Sequence, residues 1–515
     1  MKKLALVLAL LPLYVFAQQP TNIIYIMSDD HDADAISAYN SKFINTPNID
    51  RLAKEGILFK KAFVGNSICS PARATLLTGQ HSHKNAIKDN RTSFDTSKIT
   101  MPKLLQEAGY QTAIVGKWHL HSKPTGFNYF KVLPGQGDYY KTRFLEMNGD
   151  TSAPEGYATE LITDAAINWL NQRDKSRPFL LLLHHKAPHR NWLPRSKFLQ
   201  ITSKQVFPEP TTLYSNMDEH ATAWKEQKMS ILYDMTLCSD LKIDPELIKD
   251  IEGLTISKSD IDGYNWTMNR IPVEERNALK RIYTHRAELV RNYHTNKKEL
   301  LRLKYQWYMQ DYMACVASID ENVGKLLDYL DQNNLAKNTL VMYTGDQGFY
   351  LGENGWFDKR WAYDVSMQAP LLARWPARIK AGTISNQLVQ NIDFAPTILD
   401  IAGQKIPDWM QGISLKHLMS VPGSATERKH LYYHYYEYPI DHYVLPHIAV
   451  RGEQYKLIYF YTINEWEFYD LAKDPAEQKN LIHTADQVAR IKEYKRILTQ
   501  LRNKYDDHEK AGELD

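Results

Sequence analysis

Phe179-Leu180-Leu181-Leu182-Leu183-His184-His185-Lys186-Ala187-Pro188-His189 passes from an unbroken apolar run straight into a polar, basic cluster. An apolar run without alternation describes a strand buried on both faces, and hence a parallel sheet covered by helices. Three other segments share this design. Asn22-Ile23-Ile24-Tyr25-Ile26-Met27 leads into Ser28-Asp29-Asp30, and Thr112-Ala113-Ile114-Val115 into Gly116-Lys117-Trp118-His119. Leu340-Val341-Met342-Tyr343 leads into Thr344-Gly345-Asp346-Gln347-Gly348. Helical patterns at residues 49–55, 102–108 and 159–172 lie between them, giving the strand–helix alternation of an α/β fold. Ligands of such sheets bind beyond the carboxyl ends of the strands. The four polar clusters are therefore expected to meet on one edge and form a single site.

The chain has 515 residues, enough for a large core, and 43% hydrophobic against 24% charged residues excludes general disorder. A net charge of +3 over this length gives no electrostatic case for nucleic acid. Lys2 and Lys3 precede an apolar run from Leu4 to Phe16, and Ala17 ends a small-residue cleavage site. The run is too short to span a bilayer and reads as a secretory signal over residues 1–17. No later stretch has the length and apolarity of a membrane helix. The mature chain is expected to be exported, periplasmic or secreted, without membrane insertion. Cys69, Cys238 and Cys315 do not make a disulfide framework.

Residues 18–427 read as an α/β catalytic unit. Within it, about 204–304 is charged, tyrosine-rich and helical in pattern, an insertion with amphipathic helices at 274–293 and 298–310. From 428 to 515, short β-rich runs precede a helical pattern at 485–505, which suggests a small antiparallel sheet closed by a helix.

Asp29, Asp30 and Asp346 are hard oxygen donors past strand ends, and Gln347 adds an amide oxygen, a set suited to Ca²⁺ or Mg²⁺. Asp-Asp alone equally describes a turn or a helix cap. Lys117 and His119 alone fit a solvated loop. Asp358-Lys359-Arg360 is flanked by Trp356, Phe357 and Trp361, an aromatic setting unusual for a solvated charged turn. Cys69-Ser70-Pro71-Ala72-Arg73 opens a helical pattern over 72–78. Pro71 suits a first helical position, and Cys69 then sits at the positive end of the helix, where anions bind. Arg73 follows Cys69 by four residues on the same face.

Cys69-x-Pro71-x-Arg73, followed by Ala74-Thr75-Leu76-Leu77-Thr78-Gly79, resembles the signature of formylglycine-dependent sulfatases of the alkaline phosphatase-like superfamily. Gly116-Lys117-Trp118-His119-Leu120 is similar to the family's second motif, and Lys186-Ala187-Pro188-His189 to its histidine segment. The matches run in family order from residue 22 to residue 481. The resemblance implies a large, mostly parallel sheet sandwiched by helices, with a smaller C-terminal antiparallel sheet plus helix. It implies that a formylglycine-generating maturation enzyme oxidises Cys69. Residue 69 with Asp29, Asp30, Asp346 and Gln347 would then bind Ca²⁺, ahead of Mg²⁺. Gln347 stands where the best-known animal members carry asparagine or histidine, and it keeps an amide oxygen. By the same resemblance Arg73 holds the hydrated aldehyde, Lys117 and Lys359 bind sulfate, and His189 protonates the departing alcohol. His119 takes a proton when a sulfo-enzyme intermediate collapses.

The tyrosine-rich stretch 432–461, with residues 347–353, resembles exported bacterial sulfatases that act on glycosaminoglycans, the N-acetylglucosamine-6-sulfatase type among them. A sulfated saccharide is then the expected substrate, with His185, Arg360, His442 and His447 as its contacts. Two other functions compete. One is a phosphodiesterase or phosphonate monoester hydrolase of the same superfamily; the other is a non-catalytic glycan-binding protein of the same fold. The complete set of Cys69, Lys117, His119, His189 and Lys359 argues against the second.

Overall fold

The four apolar runs form adjacent strands of one sheet. The computed structural model describes residues 20–40, 42–215 and 220–509, so the signal expected at residues 1–17 lies outside the described residues. The sheet has ten strands. Its centre runs Thr339–Gly345, Asn22–Ser28, Phe179–His185, Gln111–Lys117, all parallel. Tyr129–Leu133 continues the parallel order beyond Gln111–Lys117, while Leu371–Arg374 flanks Thr339–Gly345 antiparallel. Ser28 pairs with His185 on one side and with Gly345 on the other, and Gly116 pairs with His184. The four strands therefore end level, and the four polar clusters leave the sheet along one edge, as their shared design predicts.

Each central strand feeds two cores, because successive side chains point to opposite faces. Ile24, Ile26, Leu181, Leu183, Val341 and Tyr343 pack on one side, against Ile49, Ile162 and Val323. Ile23, Tyr25, Leu180, Leu182, Leu340 and Met342 pack on the other, against Leu76, Leu105 and Leu399. Helices on both faces bury the sheet, which is why its strands carry no polar alternation.

The stretch read as a helical insertion is only partly helical. From 204 to 257 its described residues are mostly turns, with the short helix Ala223–Glu226. Helices follow at Lys258–Met268, Val273–Tyr293 and Lys297–Gln332. The last spans 36 residues, not the 13 expected at 298–310, because apolar residues from Met309 to Leu330 continue its buried face into the main core. Cys315 is buried on this helix, and all three cysteines are free thiols.

Strands Leu431–Tyr435, His447–Arg451, Tyr455–Phe460 and Glu465–Asp470 form a separate antiparallel sheet. One face, including Tyr432, Val450 and Leu457, packs on the helix Val488–Tyr505. The other, including Tyr433, Tyr435 and Ile458, packs on Trp356, Trp361 and Tyr363 of the larger unit. Asp364 adds ion pairs across the join, to Arg451 and Lys456 at 2.7 Å each.

Gly116 is a position where the central sheet demands glycine. Its φ is +103°, and a Cβ there would lie 1.9 Å from the His184 carbonyl oxygen. Gly116→Ala is expected to cost about 3 kcal/mol or more through strain and displaced backbone. Denaturant midpoints of the two proteins measure this, and an unchanged midpoint would show that the strand end tolerates a side chain.

Candidate active site

Cys69 opens the helix Cys69–Thr78, three residues ahead of the start expected at 72. The first turn's N–H groups have no intrahelical partner, so Pro71 fits within that turn as well as at its head. Ala72 N donates to Ile68 O at 3.1 Å, and Gly79, at φ 62°, closes the helix in a left-handed cap. Every residue of the helix is buried. Burial, with the Asp29 charge beside it, pushes the Cys69 thiol well above its ordinary range. The unmodified side chain is therefore a neutral thiol and a poor nucleophile.

Around it, donor atoms of Asp29, Asp30, Cys69 and Asp346 all lie within 4.8 Å of one another, and all four residues are buried. Asp30 adopts φ 62° just past its strand, which turns the chain so that neighbouring carboxylates reach one place. Its N–H donates to Asp346 Oδ1 at 2.9 Å, and the Tyr312 hydroxyl donates to its carbonyl at 2.7 Å. Three crowded carboxylates resist ionisation. Burial and the Asp29 charge push Asp346 up to about 8. Burial likewise raises Asp30 to about 6, against the pull of Lys359. For Asp29 burial is outweighed by Lys117, His189 and Arg73, which hold it well below the usual carboxylate range.

Three cations answer the three acids. Arg73 Nη2 lies 3.1 Å from both Asp29 Oδ1 and Asp346 Oδ2. Lys117 donates to Asp29, and Lys359 reaches both oxygens of Asp30 at 2.7 and 2.8 Å. Gln347 donates from Nε2 to Asp30 Oδ1, while its Oε1 is buried with no hydrogen-bond partner. That orphaned oxygen beside three carboxylates is a hard donor set, and it fits a divalent cation such as Ca²⁺ or Mg²⁺.

His189 joins Asp29 and Cys69 in an overlapping cluster. Its Nε2 is 3.7 Å from Asp30 Oδ2, and its Nδ1 is 2.6 Å from the Arg190 carbonyl. Burial, then Lys117, holds its pKa well below the ordinary histidine value. His119 Nδ1 lies 3.4 Å from Ser70 Oγ, and the same two causes bring its pKa down to about 2.

Some partners of these groups were not anticipated. His184 lies 3.3 Å from Arg73 Nη1 and helps fix the guanidinium. Gln136 accepts from Lys117. It follows the strand Tyr129–Leu133, so the carboxyl-end rule applied to a fifth parallel strand would have found it. Tyr312 sits within a long helix, where no local signal marks it.

Arg360 is clamped by Glu437 and, through Nε, by Asp358 Oδ1 at 3.2 Å. His442 Nε2 meets the other Asp358 oxygen at 3.2 Å, so Asp358, Arg360 and His442 form one cluster next to Lys359. Two expected saccharide contacts lie elsewhere. Strand alternation turns His185 away from the face that carries the Cys69 helix, and it is fully buried there. His447 is a core histidine. Its Nδ1 is 2.7 Å from the Leu445 carbonyl, its Nε2 accepts from Ala362 N at 3.0 Å, and Trp361, Tyr433 and Phe460 pack around the ring. His447 has no ring nitrogen left for a ligand, whereas both ring nitrogens of His185 are buried without a hydrogen-bond partner among the described residues.

The chain matches the profile of the Sulfatase family over residues 21–404, and that of the C-terminal region of N-sulphoglucosamine sulphohydrolase over 352–504. It is 44% identical over 496 residues to an N-acetylglucosamine-6-O-sulfatase of Bacteroides thetaiotaomicron, covering 95% of this chain and 87% of that protein. A solved structure in complex with its substrate, D-glucosamine-2-N,6-O-disulfate, aligns with a TM-score of 0.91 at 43% identity, over 96% of this chain and all of the other. A phosphonate monoester hydrolase from Silicibacter pomeroyi shares the fold, with a TM-score of 0.68 at 16% identity over 95% of this chain and 96% of its own. The chain therefore belongs to the sulfatase family and is a sulfuric ester hydrolase.

Proposed function

We propose that this sulfatase removes the 6-O-sulfate from N-acetylglucosamine or glucosamine units of glycosaminoglycan-derived saccharides, with residue 69 converted to formylglycine and Ca²⁺ as its metal. The observation that carries this reading is the buried donor cluster at residue 69, ringed by Arg73, Lys117 and Lys359. The sugar is supported by the relative named for 6-O-desulfation and by the aligned structure holding a 6-O-sulfated glucosamine.

A sulfate ester resists attack because its oxygens carry negative charge. When bound, the cation supplies Lewis-acid polarisation, and formylglycine as its hydrate supplies the hydroxyl nucleophile. Asp29, Asp30, Asp346 and the Gln347 amide oxygen would hold the cation. Lys117, Lys359 and the amino end of the Cys69 helix offset the charge on the sulfate oxygens. Arg73 bridges Asp29 and Asp346 and keeps both carboxylates oriented. The His189 Nδ1–H donates to the Arg190 carbonyl, which leaves Nε2 to carry the catalytic proton. His189 is neutral in the free site, so Nε2 must take up its proton as the anionic ester arrives, and it then delivers that proton to the departing alcohol oxygen. His119, kept neutral by burial, is the corresponding base. Asp358, Arg360 and His442 present charged and polar groups to the sugar hydroxyls. A maturation enzyme that grips the peptide around Cys69 would act before this buried helix packs. The N-terminal signal would export the chain; no helix among the described residues is long and apolar enough to cross a membrane.

Four outcomes test the reading. Purified enzyme should release sulfate from 6-O-sulfated N-acetylglucosamine, with the corresponding phosphate ester turned over far more slowly. The tryptic peptide spanning residue 69 should react with an aldehyde-specific hydrazide; an unmodified thiol in active enzyme ends the mechanism. Ca²⁺ at a hundred times its Kd should stabilise chelator-treated protein by about 2.7 kcal/mol. Gln347→Ala and Asp346→Asn should reduce that thermal shift. Lys117→Ala should lower kcat by about 10² to 10³ with sulfate esters, the usual effect of deleting one charge-stabilising donor.

A further inference from the structure

A cavity of about 420 Å³ opens beside His189, a volume within the ~300–1,000 Å³ typical of ligand sites. Its walls come from the loop at 136–140, from residues 186–193, and from the inserted segment at 236–270; Arg360 and His442 are not among them. Most charges lining it are matched from within. Arg190 grips Asp240 with two bonds, of 2.7 and 2.6 Å. Asp260 accepts the N–H groups of Cys238 and Ser239 at 3.1 and 2.6 Å. Asp138 meets Arg270 at 3.5 Å and the Trp266 indole N–H at 3.3 Å.

Lys186 is different. Its side chain lines the cavity and the residue is only 4% exposed, yet among the described residues no hydrogen bond or ion pair is made to its ammonium. The nearest feature is the Tyr139 ring, 4.9 Å from Nζ to the centroid. Burial lowers its pKa only to about 8, so it stays cationic at neutral pH. The ammonium is open to the cavity and unpaired among the described residues, so an anion placed there would gain a charge-assisted hydrogen bond. At the cavity rim Trp266 is 56% exposed, with the Arg270 guanidinium 3.6 Å from its ring. An exposed indole at the mouth of a polar cavity suits the apolar face of a sugar.

We propose that this cavity is a second saccharide subsite. It takes the ring joined to the one that loses sulfate, Lys186 pairs with a carboxylate or sulfate on that neighbouring ring, and Trp266 flanks it. The inference rests on the sugar specificity proposed above, and the insertion would then make the enzyme a reader of acidic oligosaccharides.

The test uses calcium-loaded, formylglycine-bearing enzyme. Substrates are 6-O-sulfated N-acetylglucosamine alone and disaccharides joining it, in either linkage order, to a uronic acid or to the same sugar with its carboxylate reduced to an alcohol. A third disaccharide carries a sulfate in place of the carboxylate and separates the two anions. Wild-type kcat/KM should favour an acidic disaccharide over the reduced one by about tenfold, the scale of one charge-assisted hydrogen bond, expressed mainly in KM. Lys186→Met and Lys186→Gln should bring that ratio close to one. Because the readout is a ratio within each protein, a general loss of activity cancels. Trp266→Ala, at an exposed position, should lower the preference for disaccharide over monosaccharide. A wild-type ratio near one, a ratio untouched in both Lys186 variants, or cleavage of the monosaccharide with neither linkage order accepted would overturn the subsite. If wild-type enzyme desulfates none of these compounds, the proposed sugar specificity itself is wrong.

Discussion

Three carboxylates packed into a buried space must be neutralised, and the rest of the molecule is arranged around that requirement. Asp29, Asp30 and Asp346 leave two adjacent parallel strands at the same level. Their counter-charges arrive from three other directions: Arg73 from a helix, Lys117 from another strand end, and Lys359 from a loop beyond the sheet. Removing one partner of such a buried pair typically costs about 3–5 kcal/mol, so the site and the fold stand or fall together. The same crowding makes the place receptive to a divalent cation, whose charge the carboxylates can share with the lysines.

Lys359 depends on the smaller sheet. Its neighbours Arg360 and Trp361 are tied there, Arg360 by the Tyr433 hydroxyl on its carbonyl at 2.6 Å and by Glu437 on its guanidinium. Trp361 packs in a core shared with Tyr433 and Phe460. The C-terminal sheet is thus a buttress for one cation of the active site as well as a cover for its own helix. Both of its faces are buried, one on that helix and the other on the larger unit.

Much of this was legible in the sequence, because the features that carry it are local. Strand runs that end in polar residues announce a sheet edge and its site, and a Cys-x-Pro-x-Arg helix start announces what stands at that site. What stayed hidden depends on long-range packing. The Tyr312 hydroxyl reaches Asp30 across 282 positions of sequence, and nothing around Tyr312 differs from an ordinary buried tyrosine. His185 and His447 read as ligand contacts through the resemblance to saccharide sulfatases, and a resemblance carries no information on which way a side chain points. One lies on the wrong side of its strand, and the other has both ring nitrogens bonded to backbone. The turns between 204 and 257 were read as helix because charge and tyrosine content resemble those of amphipathic helices. That segment lacks the sustained apolar period that carries the following helix through Leu330.

The helix Lys297–Gln332 begins in the inserted segment and ends in the main core, with Tyr312 between. It works as a rigid beam. Tyr312, near its middle, steadies Asp30, while Lys304, closer to its amino end, donates to the Leu232 carbonyl of the inserted segment at 2.9 Å. One helix thereby ties the scaffold of the rim to the floor of the reaction site.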